Sequence, residues 1–81
     1  MTTIRYFAAA ADAVGLAEEP AKVDETTTLA ELREQVLHTH PHARAVLEQC
    51  AIFVDNAQAI DRRAPVASAQ SVDFLPPFAG G

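Results

Sequence analysis

The chain has 81 residues, with 6 basic side chains against 11 acidic ones for a formal net charge of −5 at pH 7, and 49% of its residues are hydrophobic. That length holds one small domain and leaves no room for a second. The single cysteine, Cys50, excludes an internal disulfide, and no Cys/His spacing matches a zinc ribbon or finger, so a reducing compartment and an apolar core are expected. No apolar run approaches the roughly 18 residues that span a bilayer, and Met1-Thr2-Thr3-Ile4-Arg5 is unlike the start of a signal peptide. An acidic chain without a basic stripe is repelled by phosphate backbones. The expectation is a cytoplasmic protein that binds neither membrane nor nucleic acid.

Taken in order, Thr2 to Ala8 alternates Ile4 and Tyr6 with Arg5 and Phe7 and reads as a strand. Ala9 to Gly15 is a helical connector of one or two turns, closed by its glycine. Leu16 to Asp24 offers Val23 as a strand former, but Pro20 lacks an amide donor, so any strand here is irregular and at a sheet edge. Thr28-Leu29-Ala30-Glu31 is a capping box that starts a helix at Leu29. Leu29, Leu32, Val36 and Leu37 follow at helical spacing until Pro41. Ala43, Val46 and Leu47 continue helically for about two turns, and Ala51 to Val54 reads as a buried strand ended by an Asp55-Asn56 turn. Residues 57 to 71 are small or polar, with Ile60 and Val66 as the expected anchors. Val72 to Leu75 is a last strand, which Pro76-Pro77 must end. This order predicts an α+β fold in which one main helix covers one face of a small mixed sheet.

The last six residues, Pro76-Pro77-Phe78-Ala79-Gly80-Gly81, carry the chemistry. Two prolines favour a stiff exit from the sheet, and six extended residues reach about 20 Å, deep enough to enter another protein's active site. Gly80 and Gly81 lack Cβ and pass a narrow tunnel. A free carboxylate at Gly81 is ionised and unreactive at neutral pH. It therefore needs activation, and the electropositive site required to adenylate it must come from a partner.

The element order together with Val72-Asp73-Phe74-Leu75-Pro76-Pro77-Phe78-Ala79-Gly80-Gly81 resembles the small, sulfur-carrier subunit of molybdopterin synthase, a ubiquitin-like β-grasp family. Ile4-Arg5-Tyr6-Phe7-Ala8, Leu29 through Leu32-Arg33, and Val54-Asp55-Asn56 extend the resemblance over most of the chain. It implies a β-grasp domain over residues 1–75 and a protruding Gly-Gly tail over 76–81. It further implies adenylation of Gly81 by an adenylyltransferase resembling ubiquitin-activating enzymes, which consumes ATP. A sulfur donor enzyme then replaces AMP, and the thiocarboxylate delivers sulfur for the molybdopterin dithiolene inside the large synthase subunit, with two carriers consumed per product. The chain is not catalytic alone and binds no cofactor of its own. It departs from the family at Ala69-Gln70-Ser71, where a Gly-Asp turn is common.

In a β-grasp sheet the first and last strands are parallel neighbours. Strand parity then turns Arg5, Phe7, Asp73 and Leu75 away from the helix and packs Ile4, Tyr6, Val72 and Phe74 beneath it. Phe7, Leu75 and Phe78 are the expected partner-docking patch, with Arg5 and Asp73 paired beside it. Pro76, Pro77, Phe78, Ala79 and Gly80 are expected to thread the partner's active site. His38, His40 and His42 read as a solvated corner and not as metal ligands, Cys50 as a small core residue, and Arg62-Arg63 as a solvated turn. Alternative readings of the same tail are a carrier for thiamine, cysteine or tRNA sulfur chemistry, a ubiquitin-like modifier joined to target lysines, and an interaction module.

Overall fold

The structure is a computed structural model, and it describes residues 2–77. Five strands form one mixed sheet in the order β2-β1-β5-β3-β4: β1 (Thr3–Tyr6), β2 (Glu18–Pro20), β3 (Ala51–Val54), β4 (Ala57–Gln58) and β5 (Ser71–Leu75). The central pair, β1 and β5, is parallel, with Ile4 beside Val72 and Tyr6 beside Phe74; the other pairs are antiparallel. A parallel pair of terminal strands needs a crossover, and the chain supplies it with the helix α2 (Leu29–Thr39).

Helix α2 begins where its capping box does. The Thr28 hydroxyl accepts from the Glu31 amide at 3.2 Å, and the Glu31 carboxylate accepts from the Thr28 amide at 2.9 Å. Leu29, Leu32, Val36 and Leu37 form its buried stripe and pack with Ile4, Tyr6, Ile52, Val72 and Phe74 of the sheet. Burial of these side chains is the main stabilising term of a domain this small. The helix α1 (Ala9–Val14) closes on Gly15, whose φ of +87° is a left-handed cap that a side chain would strain. A 3-10 turn at Pro41–Ala43 leads into a single-turn helix, α3 (Arg44–Leu47), that buries Leu47 under the same core.

Between β3 and β4, Asp55 and Asn56 take positive φ values of 49° and 70°, the backbone of a tight hairpin turn. The Asp55 carboxylate accepts from the amides of Gln70 at 2.8 Å and Ser71 at 3.1 Å. These two bonds shape the chain at Gln70 and Ser71, just before β5 continues into Val72.

Three expectations need correction. Ile60 is no anchor, being 89% exposed, whereas Val66, at 2%, sits in the core as expected. The segment after Asn56 contains the short edge strand β4, which alternation could not reveal in two residues. The prolines divide differently too, since Pro76 is buried and Pro77 exposed. Phe78, Ala79, Gly80 and Gly81 lie outside the described residues.

Candidate functional site

The site begins at the end of β5, where Pro76 and Pro77 follow Leu75. The Phe7 amide donates to the Phe74 carbonyl at 3.2 Å, carrying the β1–β5 ladder one residue past β1 and setting Phe7 next to Leu75. On the other side, Leu75 pairs with Ala51 of β3. An apolar row of Phe7, Leu75 and Ala51 therefore crosses the sheet immediately before Pro76. Phe7 is 37% exposed, one of the few large apolar side chains left to solvent among the described residues, and Leu75 is half-buried. Ala51 belongs to this row only through strand register, which sequence alone does not disclose.

The next row of the same face is polar. Arg5 donates from Nε to Asp73 Oδ1 at 2.7 Å and from Nη2 to Asp73 Oδ2 at 2.6 Å, a two-pronged pair across parallel strands. Nη2 also donates to Asn56 Oδ1 at 3.2 Å. The Asp73 hydrogen bond, ahead of its charge, holds the guanidinium more firmly protonated than usual. Its carbon lies 5.6 Å from the centre of the Phe7 ring, so the ion pair also braces the exposed aromatic. Strand parity placed Arg5 and Asp73 together correctly, but Asp73 is only 4% exposed, far more enclosed than a solvent-face aspartate.

On the opposite face the sequence reading missed a cluster. Glu19 Oε2 accepts from the Tyr6 hydroxyl at 2.6 Å and lies 2.7 Å from His40 Nε2. A carboxylate only accepts, so His40 contributes the N–H. The His40 side chain is 12% exposed, which corrects its expected place on a solvated corner, whereas His38 and His42 are exposed. Tyr6 and His40 meet edge to face at 6.0 Å. Burial first, then the Glu19 hydrogen bond, raises the Tyr6 pKa well above its usual range. No signal in the sequence links positions 19 and 40, since the link depends on how β2 lies against the end of α2.

Cys50 is buried beside the Val46 carbonyl, and burial pushes its thiol up to about 11, so it stays protonated at neutral pH. Among the described residues no three His, Cys, Asp or Glu side chains are grouped to hold a metal, and no helix is long and apolar enough to cross a membrane. The geometry assembles an apolar row and a braced polar row at the end of β5.

The sheet order and the helix α2 that crosses over between β1 and β5 define a ubiquitin-like β-grasp fold. Residues 4–81 match the model of the ThiS family, and the chain belongs to that family. Among solved structures it is similar to SAMP1 from Haloferax volcanii, with a TM-score of 0.83, 17% identity, and coverage of 99% of this chain and 98% of that one. A Pyrococcus furiosus protein assigned as molybdopterin converting factor subunit 1 gives a TM-score of 0.82 at 18% identity, covering 94% and 95%. The complex of subunits 1 and 2 of the molybdopterin-converting factor from Helicobacter pylori gives 0.71 at 22% identity, covering 99% and 97%. At these identities the likeness is one of fold. No curated protein is a significant match in sequence.

Proposed function

We propose that this protein carries sulfur as a thiocarboxylate on Gly81 and donates it for dithiolene formation in molybdopterin synthesis. The observation that carries the reading is the pairing of a side-chain-poor Pro76-Pro77-Phe78-Ala79-Gly80-Gly81 ending with a family match that runs through residue 81. The Gly81 carboxylate attacks the α-phosphate of ATP in an activating enzyme and pyrophosphate leaves. A sulfur donor then displaces AMP. Phe7 and Leu75, with Phe78, serve as the docking surface for the activating enzyme and for the large synthase subunit. The tail beyond the buried Pro76, from Pro77 to Gly80, enters the partner's site, and the partner supplies the catalytic groups. The H. pylori complex of two converting-factor subunits favours this assembly.

A second reading, a ubiquitin-like modifier whose Gly81 ends as an amide on target lysines, is favoured by the likeness to the small archaeal modifier protein 1. The two separate by stoichiometry. Thiocarboxylated protein mixed with the large synthase subunit and the pterin precursor should return to the carboxylate with two carriers spent per dithiolene formed. A thiocarboxylate that the synthase leaves intact, and that instead vanishes into lysine conjugates or another sulfur acceptor, overturns the molybdopterin assignment.

A further inference from the structure

We propose that the methyl group of Ala8 is a docking contact, held in a strained turn beside Phe7 and covered by the large synthase subunit. This contact rests on the reading of Phe7 and Leu75 as a docking surface and adds a neighbour to it. Ala8 has φ 51° and ψ −125°, the backbone of the first central position of a type II′ turn, which glycine dominates. An L side chain is strained there, because its Cβ crowds the backbone in a region that only glycine enters freely.

Ala8 is unlike the other residues of positive φ among the described ones. Asp55 and Asn56 share that sign, but Asp and Asn tolerate it and hydrogen-bond to nearby backbone. Gly15, at φ +87°, meets the same demand at the other end of α1 with no Cβ at all. Ala8 also stands at the N-cap of α1, where its side chain makes no hydrogen bond, and alanine is a poorer cap than glycine. Glycine at position 8 would therefore suit both the turn and the helix start better.

The conformation is imposed from both sides. The Phe7 amide donates to the Phe74 carbonyl at 3.2 Å, the Phe7 carbonyl accepts from the Ala10 amide at 3.0 Å, and the Ala8 carbonyl accepts from the Asp12 amide at 3.1 Å. Ala10 is fully buried, so the chain must turn within one residue from a sheet row into a helix anchored in the core. The Ala8 methyl gains no burial in exchange for its strain: it is exposed and lies outside the core cluster. A residue that breaks the turn rule and the cap rule, and neither packs nor caps among the described residues, is the kind of local inconsistency that falls at functional sites. Ala8 directly follows the exposed Phe7, at the edge of the row that Phe7 forms with Leu75 and Ala51. The burial its methyl lacks in the free carrier comes from the protein that covers that row.

The test compares the full chain with Ala8→Gly and with a chain carrying D-alanine at position 8, assembled by chemical ligation at Cys50. Ala8→Gly should melt about 4 °C higher, because the strain is gone, yet bind the large synthase subunit about fourfold more weakly in calorimetric titration, the loss of one buried methyl. D-alanine relaxes the turn without glycine's freedom but sends the methyl to the other side of the backbone. It should melt higher than the native chain and bind as weakly as Ala8→Gly. A lower melting temperature for Ala8→Gly, or an unchanged affinity, overturns the proposal. Native affinity in the D-alanine chain overturns it too, since stiffness of the turn would then matter and the methyl would not. Phe7→Arg separates the two levels: if it weakens binding while Ala8→Gly does not, the Ala8 contact alone falls. If Phe7→Arg binds as tightly as the native chain, the docking surface falls and the Ala8 contact with it.

Discussion

Arg5 and Asp73 lock the two central strands together: both oxygens of a carboxylate buried in β5 accept from one guanidinium on β1, at 2.7 and 2.6 Å. The pair lies one row from Leu75 and braces Phe7, so it couples the stability of the sheet to the shape of the proposed docking surface. Removing the cation leaves the enclosed Asp73 carboxylate uncompensated. Arg5→Ala should lower the melting temperature, and Arg5→Lys should restore only part of it, because an ammonium cannot reproduce the fork. Thermal unfolding followed by circular dichroism checks both, and equal melting temperatures for Lys and Arg would remove the fork from the account.

Tyr6 should make the protein sensitive to alkali. Its folded pKa is raised by burial and by Glu19, so its contribution to stability is fully present below the ordinary tyrosine value of about 10 and declines as pH climbs above it. Urea midpoints measured on either side of pH 10 should fall more steeply for the native protein than for Tyr6→Phe. At neutral pH Tyr6→Phe should cost about 1 kcal/mol for the lost hydrogen bond.

Cys50 should be chemically silent in the folded chain. With the thiol buried and its pKa at about 11, iodoacetamide at pH 8 should label it slowly in buffer and rapidly in urea. Thiolate is the reacting species and the folded state supplies little of it. Mass spectrometry of timed samples reads the difference, and fast labelling of the native protein would show the thiol is reachable.

Phe7→Arg and Leu75→Arg should each leave the melting temperature nearly unchanged, because both side chains meet solvent, while weakening binding to the activating enzyme and to the large synthase subunit by about tenfold or more. Calorimetric titration checks the binding. Loss of fold in both variants would mean that these side chains support the core.

Local chemistry made much of this fold readable. Thr28 and Glu31 announce the start of α2, Gly15 the end of α1, and Asp55-Asn56 the hairpin, because caps and turns depend on residues a few positions apart. Alternation in β1 and β5 told which side chains meet the helix, and parity brought Arg5 to Asp73. Ile60 failed because an apolar residue in a featureless segment carries no period to say which way it faces; only the loop's hydrogen bonds to α2 decide that. His40 failed for a related reason: its partners, Glu19 and Tyr6, lie 21 and 34 positions away along the chain, and tertiary packing alone unites them. At the site, Phe7 and Leu75 were legible through parity, whereas Ala51 joined them only through the register of β3.

The central claim is that Gly81 is loaded with sulfur by another enzyme, and intact-mass analysis tests it most directly. After incubation with an activating enzyme, ATP and a sulfur donor, the protein should gain the mass of one oxygen replaced by sulfur, with fragment ions placing the change on Gly81. The same treatment should leave a variant lacking Gly80 and Gly81 unaltered and just as stably folded. An unmodified C-terminus in the complete mixture, or the sulfur found on Cys50, would contradict the account.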